Sequence, residues 1–538
     1  MGWSAVLAQA YNSTKEQIFA LNGTYKKRIE GGNVFDWGIA APSERPTLSA
    51  VTASVSGITG DYNAKYTYAR KERNTIVCES NGSSAARATA SPSGEDLRVT
   101  FTEPEDEQVN CIRIYRTIDG GSDYYHDSDY NWGTGDYAVT HQWEIDDEYL
   151  TGPSYLWTTS DITHNTDNCF IWEEFYDEAE IEDEQRRVTG YAENHINYID
   201  TDTADTSLGT ALHTDHDQIP DCAYVSGPTF DGILFAAYKG DLYFCKSKQP
   251  EYWPSSYYVR VTNPALPGKC IVFWNENPYY LTISGIYQAV RVSDTSFVPR
   301  RVPAKTGTQS QNGAVAIEGW GIFHVGLDGI YLCNPTTDNR VGIDKRLSSP
   351  FDPIFRGETT NGVPGVGDLS TSWLTTHDGK LYFGYAGSGD TYPQNILVAD
   401  LENNRIGYFD YGVELHHASQ DVTNGYLLAG DENGYVWRLE DNSVDTDGGE
   451  DIEWEVESKE FTLSTRAHFP RWVKYDIRAS DADSVTGSLL LDGTVQQAHT
   501  VTGDRITKRR LVASGNGERC SLRVSGSGPV KIYAIESE

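Results

Sequence analysis

The sequence predicts an all-β protein: a β-propeller with an inserted fibronectin-like β-sandwich and a C-terminal β-sandwich. Three observations predict this fold class. The composition favours strands over helices, the apolar residues fall in short runs that end at turn residues, and a glycine turn recurs along the middle of the chain at a nearly constant spacing.

The composition is that of a folded chain built from strands. Its 538 residues suggest about three to five domain-sized units. Hydrophobic residues make up 38% and aromatic residues 12% of the chain, so a core of ordinary size can form. Glycine (50), tyrosine (34) and tryptophan (13) are plentiful while methionine occurs once, a balance that favours strands joined by tight turns.

A repeated turn is the most informative pattern. Glycine is followed within two or three residues by an aromatic residue on a predicted strand, and successive glycines lie 45, 44, 50 and 55 residues apart. Periods of about 40–50 residues with several short strands each are typical of propeller blades, which bury their faces against one another around a ring. A stack of unrelated sandwiches is the alternative, because such turns occur in many antiparallel sheets. The five copies are Lys239-Gly-Asp-Leu-Tyr243, Ser284-Gly-Ile-Tyr287, Asp328-Gly-Ile-Tyr331, Asp378-Gly-Lys-Leu-Tyr382 and Asn433-Gly-Tyr-Val-Trp437.

Further segments outside the repeat are assigned to the propeller. Gln17-Ile-Phe-Ala-Leu21 leads into a similar turn and is predicted to complete the last blade and close the ring. Ile196-Asn-Tyr-Ile199 is predicted as another blade strand. Phe170 to Arg187 is acidic with poor apolar spacing, and we expect a helix or an ordered loop there. The propeller is thus predicted to comprise residues 1–45 and 158–445.

Two other regions have the alternating apolar pattern of small sandwiches. Residues 46–157 are predicted to be an insertion, because Phe101 to Arg116 resembles a fibronectin-type strand, loop and strand. An acidic, glycine-containing break then precedes residues 446–538, where alternation resumes in runs such as Val473-Lys-Tyr-Asp-Ile-Arg478. We expect a second sandwich there.

The charge balance excludes one class of function. With 43 basic and 78 acidic residues, the formal net charge is −35, whereas a protein that wraps nucleic acid needs basic residues to displace counterions from phosphates. Met1 to Tyr11 lacks a basic region, and no stretch approaches the roughly 18 apolar residues of a membrane span. We therefore expect neither export nor membrane insertion. The eight cysteines form no C-x-x-C pair and are predicted to be buried free thiols.

No catalytic, cofactor-binding or metal site is predicted from motifs. The phosphate-binding loop, the nucleophile elbow and the zinc-protease helix all lack their signatures. His213-Thr-Asp-His-Asp217 offers metal ligands but no cysteine or helix to fix tetrahedral geometry, so we expect an exposed loop. The acidic strings Asp200 to Asp205 and Asp445 to Asp451 lack the ligand order of a calcium loop and are predicted to be solvated linkers.

Aromatic residues after the first repeated turn allow two interpretations. Tyr252, Trp253, Tyr257 and Tyr258 are predicted to pack between blades, and stacking on sugars is the alternative. Asp431 to Trp437 is predicted to be a hairpin, because its spacing departs by one residue from the aspartate turn of sialidases.

Taken together, the sequence resembles the tail nozzle proteins of short-tailed bacteriophages, also called head-to-tail stabilisation or tail tubular proteins. The resemblance rests on the blade turns, on Asn339 to Phe355 and on Lys508 to Arg519 followed by two strands. It implies a structural virion protein without enzymatic activity, assembled in the host cytoplasm as a homohexameric ring. The ring would lie below the portal and adaptor, contact a needle or plug and fibres or spikes, and extend the channel through which genomic DNA leaves. An acidic lumen would keep the DNA from adhering.

Two other classes of function remain open from the sequence. One is a carbohydrate-binding or carbohydrate-cleaving propeller, either a receptor-binding tail tip or a secreted lectin. The other is a secreted adhesin, which would need an export signal and disulfides among the eight cysteines.

Overall fold

The computed structural model describes most of residues 4–537 and places them in two compact units. The first unit comprises Met1–Leu374 and Tyr385–Thr391, and the second comprises Thr375–Gly384 and Tyr392–Glu538. Most of the segment predicted as a helix or ordered loop, residues 170–185, lies outside the described residues. The gaps in the description are 10–12, 14, 54, 133–142, 146–185, 189–196, 335–342, 349–350, 361, 403–404, 422, 441–445, 448–449, 452, 459–460, 463–472, 480–483, 503–505, 512–518 and 528–529.

The chain begins with a complete four-stranded antiparallel sheet. Its strands, in spatial order, are β1 (Ser4–Ala8), β2 (Gln17–Leu21), β3 (Lys26–Glu30) and β4 (Asn33–Asp36). One face is buried, and Phe19 lies 5.0 Å from the Trp37 ring, centroid to centroid. The prediction that Gln17–Leu21 completes the last blade is wrong, because this strand pairs with β1 and β3 of its own sheet.

The insertion is a sandwich of two sheets. One sheet has the order β11-β10-β7-β8, and the other has the order β14-β9-β5, with β6 also paired to β9. Tyr66, Val99 and Ile114 are fully buried between them, as alternation predicts for strands with one apolar face. The strands are β5 (Thr47–Val51), β6 (Ile58–Thr59), β7 (Ala64–Glu72), β8 (Thr75–Glu79), β9 (Ser93–Thr100), β10 (Cys111–Arg116), β11 (Tyr125–Asn131), β12 (Trp143–Ile145), β13 (Arg186–Val188) and β14 (Tyr198–Thr201); β12 pairs with β13.

One strand predicted for the propeller belongs to the insertion instead. The segment predicted at residues 196–199 overlaps β14, which pairs with β9 through Tyr198–Thr100 and Ile199–Val99. Ile199 packs against the core of the sandwich, which explains its alternation without a blade. The insertion therefore extends past residue 157, while the other predicted domain bounds stay predictions.

Three successive four-stranded sheets follow in the first unit. The first strand of each sheet contacts the first strand of the sheet before it, beginning with the N-terminal sheet: β15 contacts β1, β19 contacts β15, and β23 contacts β19. This arrangement of neighbouring innermost strands is that of propeller blades. The strands are β15 (Tyr224–Ser226), β16 (Phe235–Tyr238), β17 (Asp241–Phe244), β18 (Tyr258–Arg260), β19 (Gly268–Trp274), β20 (Asn277–Thr282), β21 (Ile286–Ser293), β22 (Ser296–Arg301), β23 (Ala314–Ile317), β24 (Gly321–Val325), β25 (Ile330–Asn334) and β26 (Ile343–Arg346).

Two more sheets follow in the chain, after a short helix α1 (Asp352–Phe355). One has four strands in the order β27 to β30 and the next has three, β31 to β33. The strands are β27 (Val366–His377), β28 (Lys380–Gly387), β29 (Asn395–Asp400), β30 (Arg405–Asp410), β31 (Leu415–Asp421), β32 (Tyr426–Asp431) and β33 (Val436–Leu439).

All five predicted glycine turns join consecutive strands, each in a different sheet. They connect β16 to β17, β20 to β21, β24 to β25, β27 to β28, and β32 to β33. Asp378 and Gly379 both have positive φ, as a two-residue hairpin turn of the favoured twist requires. Asp431 accepts hydrogen bonds from the backbone N–H groups of Asn433 and Tyr435, which fits its prediction as a hairpin. The predicted fold class is confirmed: the chain is an all-β propeller with an inserted sandwich and a C-terminal sandwich.

The C-terminal sandwich lies within the second unit. One sheet has the order β36-β42-β39-β40 with β37 also paired to β42, and the other has the order β41-β38-β43. Val485, Leu489 and Val524 are buried in its core. The strands are β34 (Thr446–Asp447), β35 (Glu450–Asp451), β36 (Glu453–Glu457), β37 (Phe461–Thr462), β38 (Val473–Ala479), β39 (Ser484–Leu491), β40 (Thr494–Thr502), β41 (Ile506–Leu511), β42 (Arg519–Ser527) and β43 (Val530–Ser537).

The seven cysteines within the described residues are unpaired and buried, as predicted. Burial raises the pKa of the Cys245 thiol to about 12, so this thiol stays protonated at neutral pH. Cys169 lies outside the described residues. None of the helices that the structure describes has the length and apolar character needed to cross a bilayer.

Candidate functional site

A buried ion network joins the insertion to the propeller within the first unit. Glu251, which precedes β18, accepts a hydrogen bond from Arg70 of the insertion, with Oε2 2.5 Å from Nη2. Arg28 of β3 approaches the same carboxylate, with its Nε 3.5 Å from Oε1. Gln108 Oε1 accepts hydrogen bonds from both arginines, at 2.9 Å from Arg70 and 3.3 Å from Arg28. Strand β3, the insertion and the segment before β18, which are far apart in sequence, are thus held together at the Glu251 carboxylate.

The network is almost completely buried. Arg28, Arg70 and Glu251 are 1%, 6% and 3% exposed, so each charge depends on its partners. Burial raises the pKa of Glu30, but hydrogen bonds from Lys15 and Gln17 and the charge of Arg28 outweigh it and lower that pKa to about 2. Most of its polar atoms are directed at one another, although Nε of Arg28 and Nε of Arg70 have no hydrogen-bond partner, and the arrangement is structural.

The acidic string Asp200 to Asp205 does not form a calcium loop. Asp200 accepts two hydrogen bonds of 2.7 Å from Arg98, and Asp205 accepts one of 2.7 Å from the buried Arg116. Arginines therefore occupy carboxylate oxygens that calcium would need. Of the string Asp445 to Asp451, only the short hairpin of β34 and β35 is described, and its side chains lie outside the description.

The four aromatic residues considered for sugar binding divide into buried and exposed ones. Trp253 is 1% exposed, and its Nε1 donates to the carbonyl of Pro250. Tyr252 is 7% exposed, and its hydroxyl accepts a hydrogen bond from the backbone N–H of Glu79. Tyr257 is half-buried, whereas Tyr258 is 46% exposed. Trp253 and Tyr252 are buried as predicted, although Tyr252 packs against the insertion and not between blades. Of the four, only Tyr258 presents a freely accessible ring.

Tyr258 belongs to a row of three tyrosines, which we call the tyrosine row: Tyr238, Tyr243 and Tyr258. Tyr258 pairs with Tyr243 across β17 and β18, and the two rings stack with centroids 5.5 Å apart. Tyr238 lies edge-on to Tyr243 at 6.4 Å. The row offers an aromatic surface at the outer strand of a blade, and only Tyr258 was considered for sugar binding from the sequence.

A second surface, on the first sheet, is not predicted from the sequence. Leu7, Ile18, Ile29 and Val34 are directly opposed across β1 to β4, so they form one apolar row on a single face of the first sheet. Leu7, Ile18 and Val34 are 54%, 41% and 60% exposed. Both faces of this sheet carry apolar residues, since Val6 and Phe19 on the other face are buried. The sequence therefore does not show which face is exposed. We call this feature the apolar row.

The histidine-rich segment is drawn together by tertiary contacts. His216 is 8% exposed and stacks on Tyr252, with ring centroids 4.0 Å apart and planes 4° from parallel. Its backbone N–H donates to Asn81 of the insertion, whose Nδ2 in turn donates to Asp217. The segment is therefore held between the insertion and the propeller, and the prediction of an exposed loop is wrong for His216.

Comparisons with known proteins give fold-level likenesses only. No family model and no curated protein matches the chain. An exo-β-1,3-galactanase from Phanerochaete chrysosporium bound to galactose is 9% identical, with 57% of this chain and 95% of that chain covered and a TM-score of 0.22. AztD from Citrobacter koseri is 13% identical, with 85% and 100% covered and a TM-score of 0.27. Scores this low transfer neither substrate nor activity to this chain.

One prediction is corrected by these comparisons. The chain was predicted not to be an enzyme, yet several of the solved structures that it resembles in fold are of a glycoside hydrolase, the exo-β-1,3-galactanase. The prediction that the chain is not an enzyme is therefore withdrawn. Of the stretches behind the phage-tail resemblance, residues 339–342, 349–350 and 512–518 lie outside the described residues.

Proposed function

We propose that this chain is a structural tail protein of a short-tailed bacteriophage, a nozzle subunit that assembles into a homo-oligomeric ring around a DNA channel. The observation that carries the proposal is the apolar row. Contiguous exposed apolar surface rimmed by polar residues is typical of protein interfaces. The apolar row crosses all four strands of the first sheet, and the opposite face of that sheet is buried.

The ion network around Glu251 supports the same proposal. A ring subunit needs two different surfaces held at a constant angle, since each subunit contacts its two neighbours through unlike patches. The network fixes the insertion relative to β3 and to the segment before β18. The insertion and the first sheet therefore form a rigid pair that can present such surfaces. The net charge of −35 suits a channel that must not bind DNA.

Charging the apolar row is expected to weaken assembly while leaving the subunit folded. In an Ile18→Lys/Val34→Lys double variant, two cations would have to be buried at each contact between subunits, so we expect the dissociation constant of the ring to rise at least tenfold. A tenfold rise corresponds to about 1.4 kcal/mol. Native mass spectrometry and negative-stain electron microscopy of the purified chain, with and without the substitutions, measure this.

The matched control is Val292→Lys/Val298→Lys, which alters two exposed valines of another blade. We expect the control to form rings like the unaltered chain. A variant Ile18→Lys/Val34→Lys whose rings have the same dissociation constant as those of the unaltered chain would contradict the proposal. So would an unaltered chain that stays monomeric at tens of micromolar and is missing from purified virions.

The second candidate is a carbohydrate-binding or carbohydrate-cleaving propeller, and the tyrosine row favours it. Stacked, exposed aromatic rings offer the flat apolar surface on which the C–H faces of sugars pack. We expect Tyr258→Ala to lower binding on a glycan array that includes β-1,3-galactotriose by tenfold or more, and Tyr435→Ala, at another exposed tyrosine, to leave it unchanged. An array on which the unaltered chain binds nothing would remove this candidate.

A further inference from the structure

The segment from His213 to His216 gathers three metal-ligating side chains. One ligand atom each from His213, Asp215 and His216 lies within 4.8 Å of the other two. The His213 and His216 ring centroids are 4.9 Å apart, and His216 Nε2 is 4.0 Å from Asp215 Oδ1. We propose that His213, Asp215 and His216 bind a divalent transition metal ion such as Zn²⁺.

Two buried atoms in this cluster have no hydrogen-bond partner. They are Nδ1 of His216 and Oδ1 of Asp215. Leaving a buried polar atom without a partner destabilises the fold, so two such atoms in adjacent residues favour a compensating ligand. Because His216 is 8% exposed and pinned by Tyr252 and Asn81, its ring cannot turn out to water to satisfy Nδ1. A metal ion bound between His216 and Asp215 offers Oδ1 of Asp215 the partner that it lacks.

The Asp215 carboxylate has one oxygen left for a metal ion. Lys246 Nζ lies 2.6 Å from Oδ2 of Asp215, leaving Oδ1 for a metal ion. A partner on the second oxygen is the usual support for a ligating carboxylate.

The donor set selects the class of metal. Two imidazoles and one carboxylate favour Zn²⁺ and its neighbours over Ca²⁺ and Mg²⁺, which prefer oxygen ligands. Tetrahedral zinc with bonds of about 2.0–2.2 Å places its ligands roughly 3.4 Å apart, so the cluster must contract on binding. His213 is exposed and can rotate to supply that movement. Water would complete the fourth position.

The metal would tie together parts of the first unit that only tertiary structure joins. His216 is bonded to Asn81 of the insertion, and Asp215 is bonded to Lys246 near β17. A metal ion that binds the folded chain but not the unfolded chain raises the apparent stability of the folded chain once the free metal concentration exceeds the dissociation constant. We therefore expect Zn²⁺ to raise the melting temperature of the unit that contains the insertion.

The test is Zn²⁺ binding by the full-length chain, purified without a polyhistidine tag. Competition with a chromophoric chelator measures affinity, and Co²⁺ substitution reports coordination through visible absorption. We expect one ion per chain, and a loss of affinity of at least tenfold in His213→Ala and in Asp215→Asn. His499→Ala is the control, since this histidine lies on β40 of the C-terminal sandwich, and it is expected to bind like the unaltered chain.

Both informative variants change side chains that are not part of the core, so each is expected to keep the melting temperature of the metal-free chain. A chain that binds less than one Zn²⁺, or one whose affinity is the same with and without His213 and Asp215, would overturn the proposal. Neither outcome depends on the oligomeric state, so this test is separate from that of the ring.

Discussion

Replacing Glu251 by alanine is expected to lower the free energy of unfolding of the first unit by about 3–5 kcal/mol, the cost of leaving buried charges without their partner. Arg70 and Arg28 both lie against this carboxylate and are almost fully buried, so its loss leaves two positive charges facing each other. Urea denaturation followed by tryptophan fluorescence measures the loss. Glu103→Ala, at an exposed glutamate of the insertion, is the control and should change stability by less than about 0.5 kcal/mol.

A double-mutant cycle separates the ion network from simple loss of packing. If Arg70 and Glu251 stabilise each other, the Arg70→Ala/Glu251→Ala variant should lose less than the sum of the two single variants. Additive losses, or a Glu251→Ala variant as stable as the Glu103→Ala control, would contradict a charge network at this place.

Trp253→Ala is expected to destabilise the first unit by about 3–5 kcal/mol, as removal of a large buried aromatic side chain does. Trp253 packs edge-on against Trp37 with centroids 5.8 Å apart, and both indoles donate to the carbonyl of Pro250. Trp253→Phe restores part of the volume and should lose less. The melting temperature and denaturant midpoint of each variant test this.

Tyr258→Ala is the matched control for that experiment, because Tyr258 is five residues away in sequence and 46% exposed. Its stability should change by no more than about 0.5 kcal/mol. A Trp253→Ala chain that is as stable as the unaltered one would show that the indole is not part of the core. Any effect of Trp253 on sugar binding would then have to be considered again.

The local elements were predictable because their signals are local. A glycine at a hairpin and an aromatic residue two or three positions later are separated by a fixed number of residues, so Gly379 and Tyr382 carry the signal without any tertiary contact. The strands of the two sandwiches followed from alternation in the same way. The assignments of Gln17–Leu21 and Ile199 failed because alternation indicates a strand but not its partner.

The candidate sites were only partly predictable for the same reason. The sequence shows that His213, Asp215 and His216 are metal-ligating residue types. It does not show that His216 packs on Tyr252 and Asp215 pairs with Lys246, the contacts that hold these two side chains in place with one unpartnered atom each. The apolar row needs the register of four strands, and a shift of one residue would place Leu7 and Ile18 on the buried face.

The sequence by itself determined the all-β class, the positions of the five blade hairpins and the presence of two sandwiches, because turn geometry and side-chain alternation depend on neighbouring residues. Only the tertiary structure decided which surfaces are exposed and which charges meet. Glu251 contacts Arg70 across 181 residues, and such pairs arise from the packing of sheets rather than from any pattern along the chain.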